Sequence, residues 1–494
     1  MLKRARREGH AKVAQWLADL AAQGSLRAGD FLGTAAEHFE QAGDVANAAE
    51  FHARAAEQAG KRLAHDRVLA HVARALALLG DAQPMQTMQP MQSAHAELRW
   101  RLLRARERTL DFQGRRDEQA ADLDTLAQLA ETLDDDPRRA RVALRRSTRA
   151  MRMADRAEQE SAARQCMAFA ARCGDDDLRL QALRLLAASR VRRGDVEGGR
   201  ALALQGLAEA RSLGLRQVET RLLNTLVVAA GMQDDLVAAL ELNQQSVQID
   251  REIGEARDGI SLSNLGGAWA NLGGLVQAQR ELEAALKLLR AGGERVIESV
   301  TLGLMSSLAL WSGDGTRALT LARSALDIAV ATRARDHEVT ALLRLAEAGL
   351  ALCRLPEARQ AFLQMQARAL EFGHAARFDA CGGLARVALA ERDIAAALAA
   401  LQPLLDHAAA GGTLAGTEHA RQIELSAHLA LAAAEDPRAA EWLDRAHGAL
   451  MAQAGAISDA TLRQSFLQNI PHHRELVAAW VAAGSINQTD HVTR

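Results

Sequence analysis

A repeat of about 40 residues governs most of this 494-residue chain. When successive stretches are aligned on the turn that would join two helices, the turns recur at a nearly constant step. A fixed period between about 20 and 50 residues is typical of repeat architectures, in which each unit buries its apolar face against its neighbours. The predicted turns lie near Gly114, Ala154, Gly194, Gln233, Gly273, Gly313, Cys353, Arg392 and Asp436.

The best-preserved copy of the repeat is Leu262–Leu289, in which two amphipathic segments flank the pair Gly273-Gly274. Small residues stand where two helices would cross, and larger apolar residues stand beside the crossing. This spacing resembles the tetratricopeptide repeat, a pair of antiparallel helices. The predicted packing residues are Leu262, Leu265, Gly266, Trp269, Ala278, Leu282 and Ala285.

The sequence therefore predicts an all-α protein, a right-handed α-solenoid of about ten tetratricopeptide-like helix pairs with a period of about 40 residues. A period above the usual value of about 34 implies that each helix is longer by nearly a turn. The composition agrees, because 49% of the residues are hydrophobic, 3% are aromatic and no Tyr is present. Such a mixture favours helices with small packing residues over strands.

Four segments are predicted along the chain. Residues 1–80 form an N-terminal helical segment with one clear repeat, and residues 81–93 (DAQPMQTMQPMQS) form a linker rich in Met, Gln and Pro. Residues 94–455 form the main solenoid. Residues 456–494 depart from the period and are predicted to form C-terminal capping helices and a tail.

No catalytic constellation is present in the sequence. Gly60-Lys61 lacks the context of a phosphate-binding loop, and His337-Glu338 does not continue as HExxH. The acidic runs 134–136 and 175–177 are predicted to cap helices rather than to bind metal. We therefore expect no catalytic residue, no cofactor and no metal.

Charge and cysteine usage favour a cytoplasmic protein. The net charge is −2, which provides no global attraction to nucleic acid or to a membrane surface. The uncharged run from residue 259 to residue 279 carries several polar residues and five glycines, so a membrane span is not expected there. The cysteines lack metal-binding spacing and are predicted to be buried packing residues in a reducing compartment. They are Cys166, Cys173, Cys353 and Cys381.

A strip of arginines is the strongest candidate for a binding surface. Six of them are spaced three or four residues apart, which places them on one helical face. Two readings remain open: a contact surface for an acidic partner, or the solvated face of an Arg-rich helix whose charges are neutralised by neighbours. Aromatic residues that would stack bases are absent between them, which disfavours nucleic acid. The strip consists of Arg138, Arg141, Arg145, Arg149, Arg152 and Arg156.

Both ends of the chain resemble one bacterial family. The segment SFLQNIPHHREL, within residues 457–480, is similar to the closing motif of STAND/AAA-type ATPase signalling proteins with a tetratricopeptide region. The stretch that begins HAKVAQWLADL is similar to the part that follows their ATPase module. These proteins are often linked to class III adenylate or guanylate cyclase domains. The resemblance implies a sensor or scaffold role, and no catalytic residue is transferred because Walker motifs and a cyclase domain are absent from this sequence.

Two functional hypotheses follow. In the first, the chain is a non-catalytic scaffold or sensor that binds a protein or peptide. This partner is expected to be acidic if the arginine strip is the contact surface. In the second, it is the regulatory fragment of an ATP-binding STAND ATPase or adenylate cyclase, and the genomic sequence upstream of the Met1 codon would discriminate the two. A tetratricopeptide-containing transcription activator is disfavoured, since the tail contains no helix-turn-helix pattern.

Overall fold

The structure, a computed structural model, describes residues 2–22, 28–80, 90–254 and 259–492. These residues form 24 α-helices and no strand, as predicted for an all-α solenoid. The helices are α1 (Leu2–Ala22), α2 (Ala28–Ala42), α3 (Val45–Lys61), α4 (His65–Leu79), α5 (Pro90–Gln113), α6 (Arg116–Thr132), α7 (Asp136–Arg152), α8 (Arg156–Cys173), α9 (Asp176–Arg192), α10 (Val196–Ser212), α11 (Arg216–Met232), α12 (Leu236–Ile253), α13 (Gly259–Asn271), α14 (Leu275–Gly292), α15 (Arg295–Trp311), α16 (Gly315–Ala331), α17 (Arg335–Ala351), α18 (Leu355–Glu371), α19 (Arg377–Ala390), α20 (Ile394–Ala409), α21 (Ala420–Ala433), α22 (Arg438–Ala456), α23 (Ala460–Gln468) and α24 (Pro471–Val492).

A residue with left-handed backbone geometry ends almost every helix, about every twentieth residue, so that two turns make one period. At the α13–α14 turn, for example, the Gly274 N–H donates to the Trp269 carbonyl at 2.8 Å, the closure expected of a Schellman cap. Because each turn is so short, consecutive helices must run antiparallel. The left-handed residues from 114 to 392, with φ between 46° and 93°, are Gly114, Asp134, Ala154, Gly174, Gly194, Gly214, Asp234, Gly254, Gly273, Gly293, Gly313, Arg333, Cys353, Gly373 and Arg392.

An aspartate commonly follows the left-handed residue and caps the next helix. Asp175, for example, accepts a hydrogen bond from the Leu178 N–H at 3.0 Å. In the other acidic run, the Asp135 carboxylate accepts from the Arg138 N–H at 2.9 Å. The capping predicted for both runs is therefore confirmed, and each cap satisfies a backbone donor that the helix leaves open.

The chain divides into two compact units, residues 1–146 and 147–494. In the first unit, Leu98 and Leu102 of α5 share a core with Val68 and Val72 of α4. The segments on the two sides of the predicted linker are therefore packed together. Residues 81–89 of that linker lie outside the described residues, and helix α5 already begins at Pro90.

In the second unit, the crossing of α13 and α14 is built from the residues of the best-preserved repeat. Ala278, Leu282 and Ala285 are fully buried, and Leu265 is 6% exposed. Leu262 and Trp269 are partly buried and pack against the neighbouring cores. A Cβ atom added to Gly266 would lie 2.6 Å from Leu282 Cγ, which explains why this crossing needs glycine.

The prediction that all four cysteines are buried is wrong for two of them. Cys166 and Cys381 are buried, whereas Cys173 and Cys353 are exposed. Cys173 is the last residue of α8, and Cys353 has a φ of 56° in the turn after α17. Both cysteines therefore lie at a helix end, where side chains reach solvent, and not at a helix crossing. The 40-residue period alone does not indicate which of these two positions a cysteine occupies.

Candidate functional site: a cationic cluster inside the second unit

The odd-numbered helices form the inner layer of the second unit. Each pair packs as a hairpin, and in addition α9 packs on α11, α13 on α15, α15 on α17, α17 on α19 and α19 on α21. In a curved array the helices on the concave side approach one another most closely. Side chains on the free face of the odd-numbered helices therefore line the interior.

An ion pair between Arg156 and Asp336 crosses this interior. Arg156 is the first residue of α8, Asp336 is the second residue of α17, and eight helices separate them in the chain. Nevertheless, Arg156 Nη2 lies 2.5 Å from Asp336 Oδ2. The array in the second unit thus curves far enough to bring repeats 180 residues apart into contact.

Four further arginines lie around this ion pair, and together with Arg156 we call them the cationic cluster. They come from α7, α8, α9 and α11, so that successive repeats contribute to one surface. Arg221 donates to Gln181 Oε1 at 3.1 Å, a contact between equivalent positions of neighbouring repeats. The cationic cluster consists of Arg152, Arg156, Arg184, Arg192 and Arg221.

Arg184 has the least favourable environment in the cationic cluster. Burial, together with the positive charges of Arg221, Arg192 and Arg152, lowers the pKa of Arg184 to about 9. Its Nε atom is buried and has no hydrogen-bond partner. A buried donor without a partner is costly, and the cost is greater when the donor carries charge.

Asp336 neutralises only part of this positive charge. Burial opposes ionisation of Asp336, but the nearby Arg156 and Arg192 outweigh it and lower its pKa, so the carboxylate is charged at neutral pH. Burial lowers the pKa of the adjacent His337 to about 4, and the imidazole is therefore neutral. Glu418, whose charge also reaches His337, is paired with Arg344 at 2.8 Å.

The cationic cluster thus brings five guanidinium groups together, and the Asp336 carboxylate pairs with one of them, that of Arg156. Guanidinium is planar and remains charged, and it binds carboxylates or phosphates through paired hydrogen bonds. Arg192 is exposed to solvent although protein surrounds it closely enough to lower its pKa. An anionic group entering the interior can therefore reach the cationic cluster.

The first half of the predicted arginine strip lies in the first unit, where two of its members are paired within the fold. Arg145 contacts Glu107 and Asp111 at 2.9 Å and 2.8 Å, and although its burial opposes charge, these carboxylates raise its pKa. Arg138 is paired with Glu97 and lies over the Trp100 ring. Arg141 is exposed.

The second half of the strip lies in the second unit. Arg149 and Arg152 are partly buried on α7, and Arg156 begins α8. Arg152 and Arg156 belong to the cationic cluster, together with Arg184 and Arg192 of α9. The strip predicted from the sequence therefore contains two members of the cationic cluster, and its other four arginines lie outside the cluster.

Sequence reasoning missed Arg221, Asp336 and His337. The period offers a signal for Arg221, because Arg221 and Gln181 are 40 residues apart and in contact. Asn264 and Asn224 show the same relationship, with an Nδ2 to Oδ1 distance of 3.4 Å. The contact of Asp336 with Arg156 depends on curvature accumulated over several repeats, which the sequence pattern does not report.

A second polar network lies further along the interior. Arg344 of α17 binds Glu418 and Glu347, and its Nη1 lies 2.6 Å from His419 Nε2. The Asp379 carboxylate accepts hydrogen bonds from the Glu418 and His419 N–H groups at 3.1 Å and 3.0 Å. Burial, together with the charge of Glu418, raises the pKa of Asp379 to about 7. This network fixes the loop before α21.

Metal binding and membrane insertion are two further possibilities for the described part of the chain. It contains no group of three or more His, Cys, Asp or Glu side chains placed to hold a metal ion. Among its helices, none combines the length and the apolar character needed to span a bilayer.

No family model matches the sequence, and no curated protein matches it. Solved structures with similar folds include a Rap protein complexed with competence and sporulation factor, 14% identical, with a TM-score of 0.48 over 69% of this chain and 98% of that one. Another is a STAND protein with a tetratricopeptide repeat sensor from Pyrococcus horikoshii, 13% identical, with a TM-score of 0.45 over 76% of this chain and 56% of that one. A tetratricopeptide repeat protein from Parabacteroides merdae is 14% identical, with a TM-score of 0.33 over 60% of this chain and 98% of that one. By its own geometry, the chain consists of tetratricopeptide-like helix pairs with a 40-residue period.

Proposed function

We propose that this protein is a non-catalytic interaction module that binds an acidic segment of a partner protein inside its second unit. The observation that carries the proposal is the Arg184 guanidinium, whose buried Nε has no partner while three other arginines lower its pKa. A carboxylate of a bound segment would supply both the missing acceptor and the missing negative charge. The role in bacterial signal transduction rests on the family resemblance and is part of this proposal.

Binding at the cationic cluster would be coupled to the shape of the array. A ligand carboxylate that pairs with Arg156 competes with Asp336, and the Arg156–Asp336 ion pair joins α8 to α17 across the interior. Because repeats contact mainly their neighbours, small rotations at each interface accumulate along a solenoid. Loss of this ion pair on binding would therefore allow the distance between α8 and α17 to change.

The first test uses a fluorescein-labelled decaglutamate peptide and measures fluorescence anisotropy on titration with the full-length protein. Decaglutamine and decalysine peptides of the same length serve as probes without negative charge. We expect binding of decaglutamate alone, weakened as salt is raised from about 50 to 300 mM because screening strengthens over this range.

The second test locates the contact. The double variant R184E/R192E should bind decaglutamate at least about tenfold more weakly, since two attractive charges become repulsive. The matched control is the double variant R141E/R317E, which makes the same charge change at two exposed arginines outside the cationic cluster. Equal loss of binding in both double variants, or none in the first, would overturn the proposal; circular dichroism checks that each is folded.

A further inference from the structure

The C-terminal segment, residues 457–480, folds back into the interior of the second unit instead of only extending its end. Asn469 Nδ2 donates to the Gly273 carbonyl at 2.9 Å, although the two residues are 196 positions apart. The backbones approach closely at this point, because a Cβ atom added to Gly273 would lie 2.3 Å from the Ser465 carbonyl oxygen. The C-terminal segment therefore rests directly on the turn between α13 and α14.

The C-terminal segment contributes apolar side chains to a core shared with the middle of the array. Phe466, Ile470 and Leu476 are buried and pack in one cluster with the array residues. Phe466 and Leu476 are fully buried. The surface that receives them is called here the inner groove. It includes Leu240 and Val247 of α12, Leu265 and Ala268 of α13, and Leu272 directly after α13.

Polar contacts hold the second half of the C-terminal segment. The Glu475 carboxylate accepts hydrogen bonds from Arg386 Nη2 of α19 at 2.7 Å and 2.9 Å. The His472 ring lies 6.3 Å from the Trp311 ring of α15 and 5.2 Å from the His419 ring, measured between centroids. The C-terminal segment thus touches helices from repeats that are distant in the chain.

Helix α23 is the part of the C-terminal segment that buries the fewest side chains. Helix α23 has nine residues, and Phe466 is its one buried residue. By contrast, six residues of the preceding helix α22 are buried. Between these two helices, Ser458 and Asp459 are exposed, whereas Ile457 is buried. Elements with few buried apolar contacts open at lower free energy than the core, so α23 should separate before the repeats unfold.

We propose that the inner groove is a binding site for an apolar helical segment and that the C-terminal segment is its resident, exchangeable ligand. Release of the C-terminal segment uncovers Leu265 and Leu272, and a helix that repeats the spacing of Phe466 and Ile470 can then enter. Access to this part of the interior is controlled by the chain itself. The inner groove does not include the cationic cluster, so each proposal can fail without the other.

The test uses the full-length chain and a fluorescein-labelled peptide of residues 457–480 as the probe. Two variants weaken the anchors of the resident C-terminal segment: E475R reverses the charge that faces Arg386, and N469A removes the hydrogen bond to Gly273. Both side chains are partly or fully exposed, so their replacement should spare the core. We expect each variant to bind the peptide at least about tenfold more tightly than the wild type, because the internal competitor is weakened.

The control variant is E441R, which reverses an exposed charge on α22 away from the inner groove and should bind like the wild type. Hydrogen exchange read by mass spectrometry gives a second, label-free readout. In E475R and N469A, residues 457–480 and α13 should exchange faster, whereas α9 and α17 should not change. Unchanged exchange in α13, or equal peptide binding by all variants, overturns the proposal. A dimer with exchanged C-terminal segments in light scattering would overturn the assignment of each segment to its own chain.

Discussion

Gly266 lies against Leu282 so closely that a single added methyl group would approach Leu282 Cγ to 2.6 Å and the Ala278 carbonyl oxygen to 3.3 Å. This contact sets how closely α13 and α14 approach each other. Since Leu282 and Ala278 are fully buried, neither has free space into which to move. The first prediction follows from this relationship.

The substitution Gly266→Ala should lower the free energy of unfolding of the second unit by about 1–3 kcal/mol, the range found for overpacking a full core. Gly231→Ala is the matched control, because that glycine lies in α11 and a Cβ added to it meets nothing within 4 Å. There the better helix propensity of Ala should stabilise the protein by up to about 1 kcal/mol. Urea unfolding measures both, and equal effects of the two substitutions would contradict the packing account.

A buried charge network in the first unit gives the second prediction. Arg145 is the shared partner of Glu107 and Asp111, whose side chains are 1% and 4% exposed. Arg145→Ala removes a positive charge that offsets the two buried carboxylates. It should destabilise the first unit by about 2–4 kcal/mol, somewhat less than breaking a fully buried ion pair costs. Arg141→Ala, on the exposed face of the same helix, should change stability by less than about 0.5 kcal/mol. Faster hydrogen exchange in α5 for Arg145→Ala alone would confirm the difference.

The turn after α17 gives the third prediction. Cys353 has a φ of 56°, whereas glycine stands at the equivalent turn positions Gly273 and Gly313. Because left-handed geometry costs a residue with a Cβ about 1 kcal/mol, Cys353→Gly should stabilise the second unit by about 0.5–1 kcal/mol. Cys353→Val should destabilise it, since a β-branched residue tolerates this conformation poorly. The measurement is the urea midpoint at an unchanged m-value, and stabilisation by Val would contradict the account.

Buried histidines give the fourth prediction, which concerns pH. Burial lowers the pKa of His472 and of His419 well below the usual 6.5, and nearby positive charges lower both further. The unfolded chain therefore takes up protons below pH 6.5 that the folded chain does not. The contribution of these neutral histidines to the free energy of unfolding is thus fully present above pH 6.5. It is lost as the pH falls toward the pKa that the histidines have in the folded protein.

The substitution His472→Gln should remove one titrating group and reduce this loss by up to about 1.4 kcal/mol per pH unit. Asp379 acts in the opposite direction. Because its pKa is raised to about 7 in the folded protein, the folded state holds a proton that the unfolded chain releases, and this contribution to stability is lost as pH rises. For this reason the readout is the difference between wild type and variant, measured by urea unfolding at pH 7, 6 and 5. A constant difference at all three values would exclude a titrating His472.

Local features of the fold could be predicted well from the sequence. The 40-residue period locates the turns: most predicted positions coincide with a left-handed residue, while Gln233 precedes Asp234 by one and Asp436 follows Glu435 by one. The capping of α9 by Asp175 is equally local. These features depend on residues within one or two turns of a helix, where spacing and side-chain chemistry act directly.

The candidate site was less predictable because it depends on curvature. Arg156 and Asp336 are 180 residues apart, and no spacing rule links them. Arg145 and Arg156 occupy the same sequence strip, yet Arg145 pairs with carboxylates of α5 whereas Arg156 reaches across the interior. The fold-back of Asn469 onto Gly273 belongs to the same class of contact, since the position of the C-terminal segment depends on the sum of many small rotations.

The contact between Gly273 and Asn469 also has a consequence for synthesis of the chain. Repeats that contact only their neighbours can form as they leave the ribosome, but the apolar face of α13 is not covered until a segment 196 residues later has been made. At about 5–20 residues per second, that delay lasts roughly 10–40 s. During this interval Leu265 and Leu272 remain open to other apolar chains, which makes the nascent protein vulnerable to aggregation until the C-terminal segment has been made.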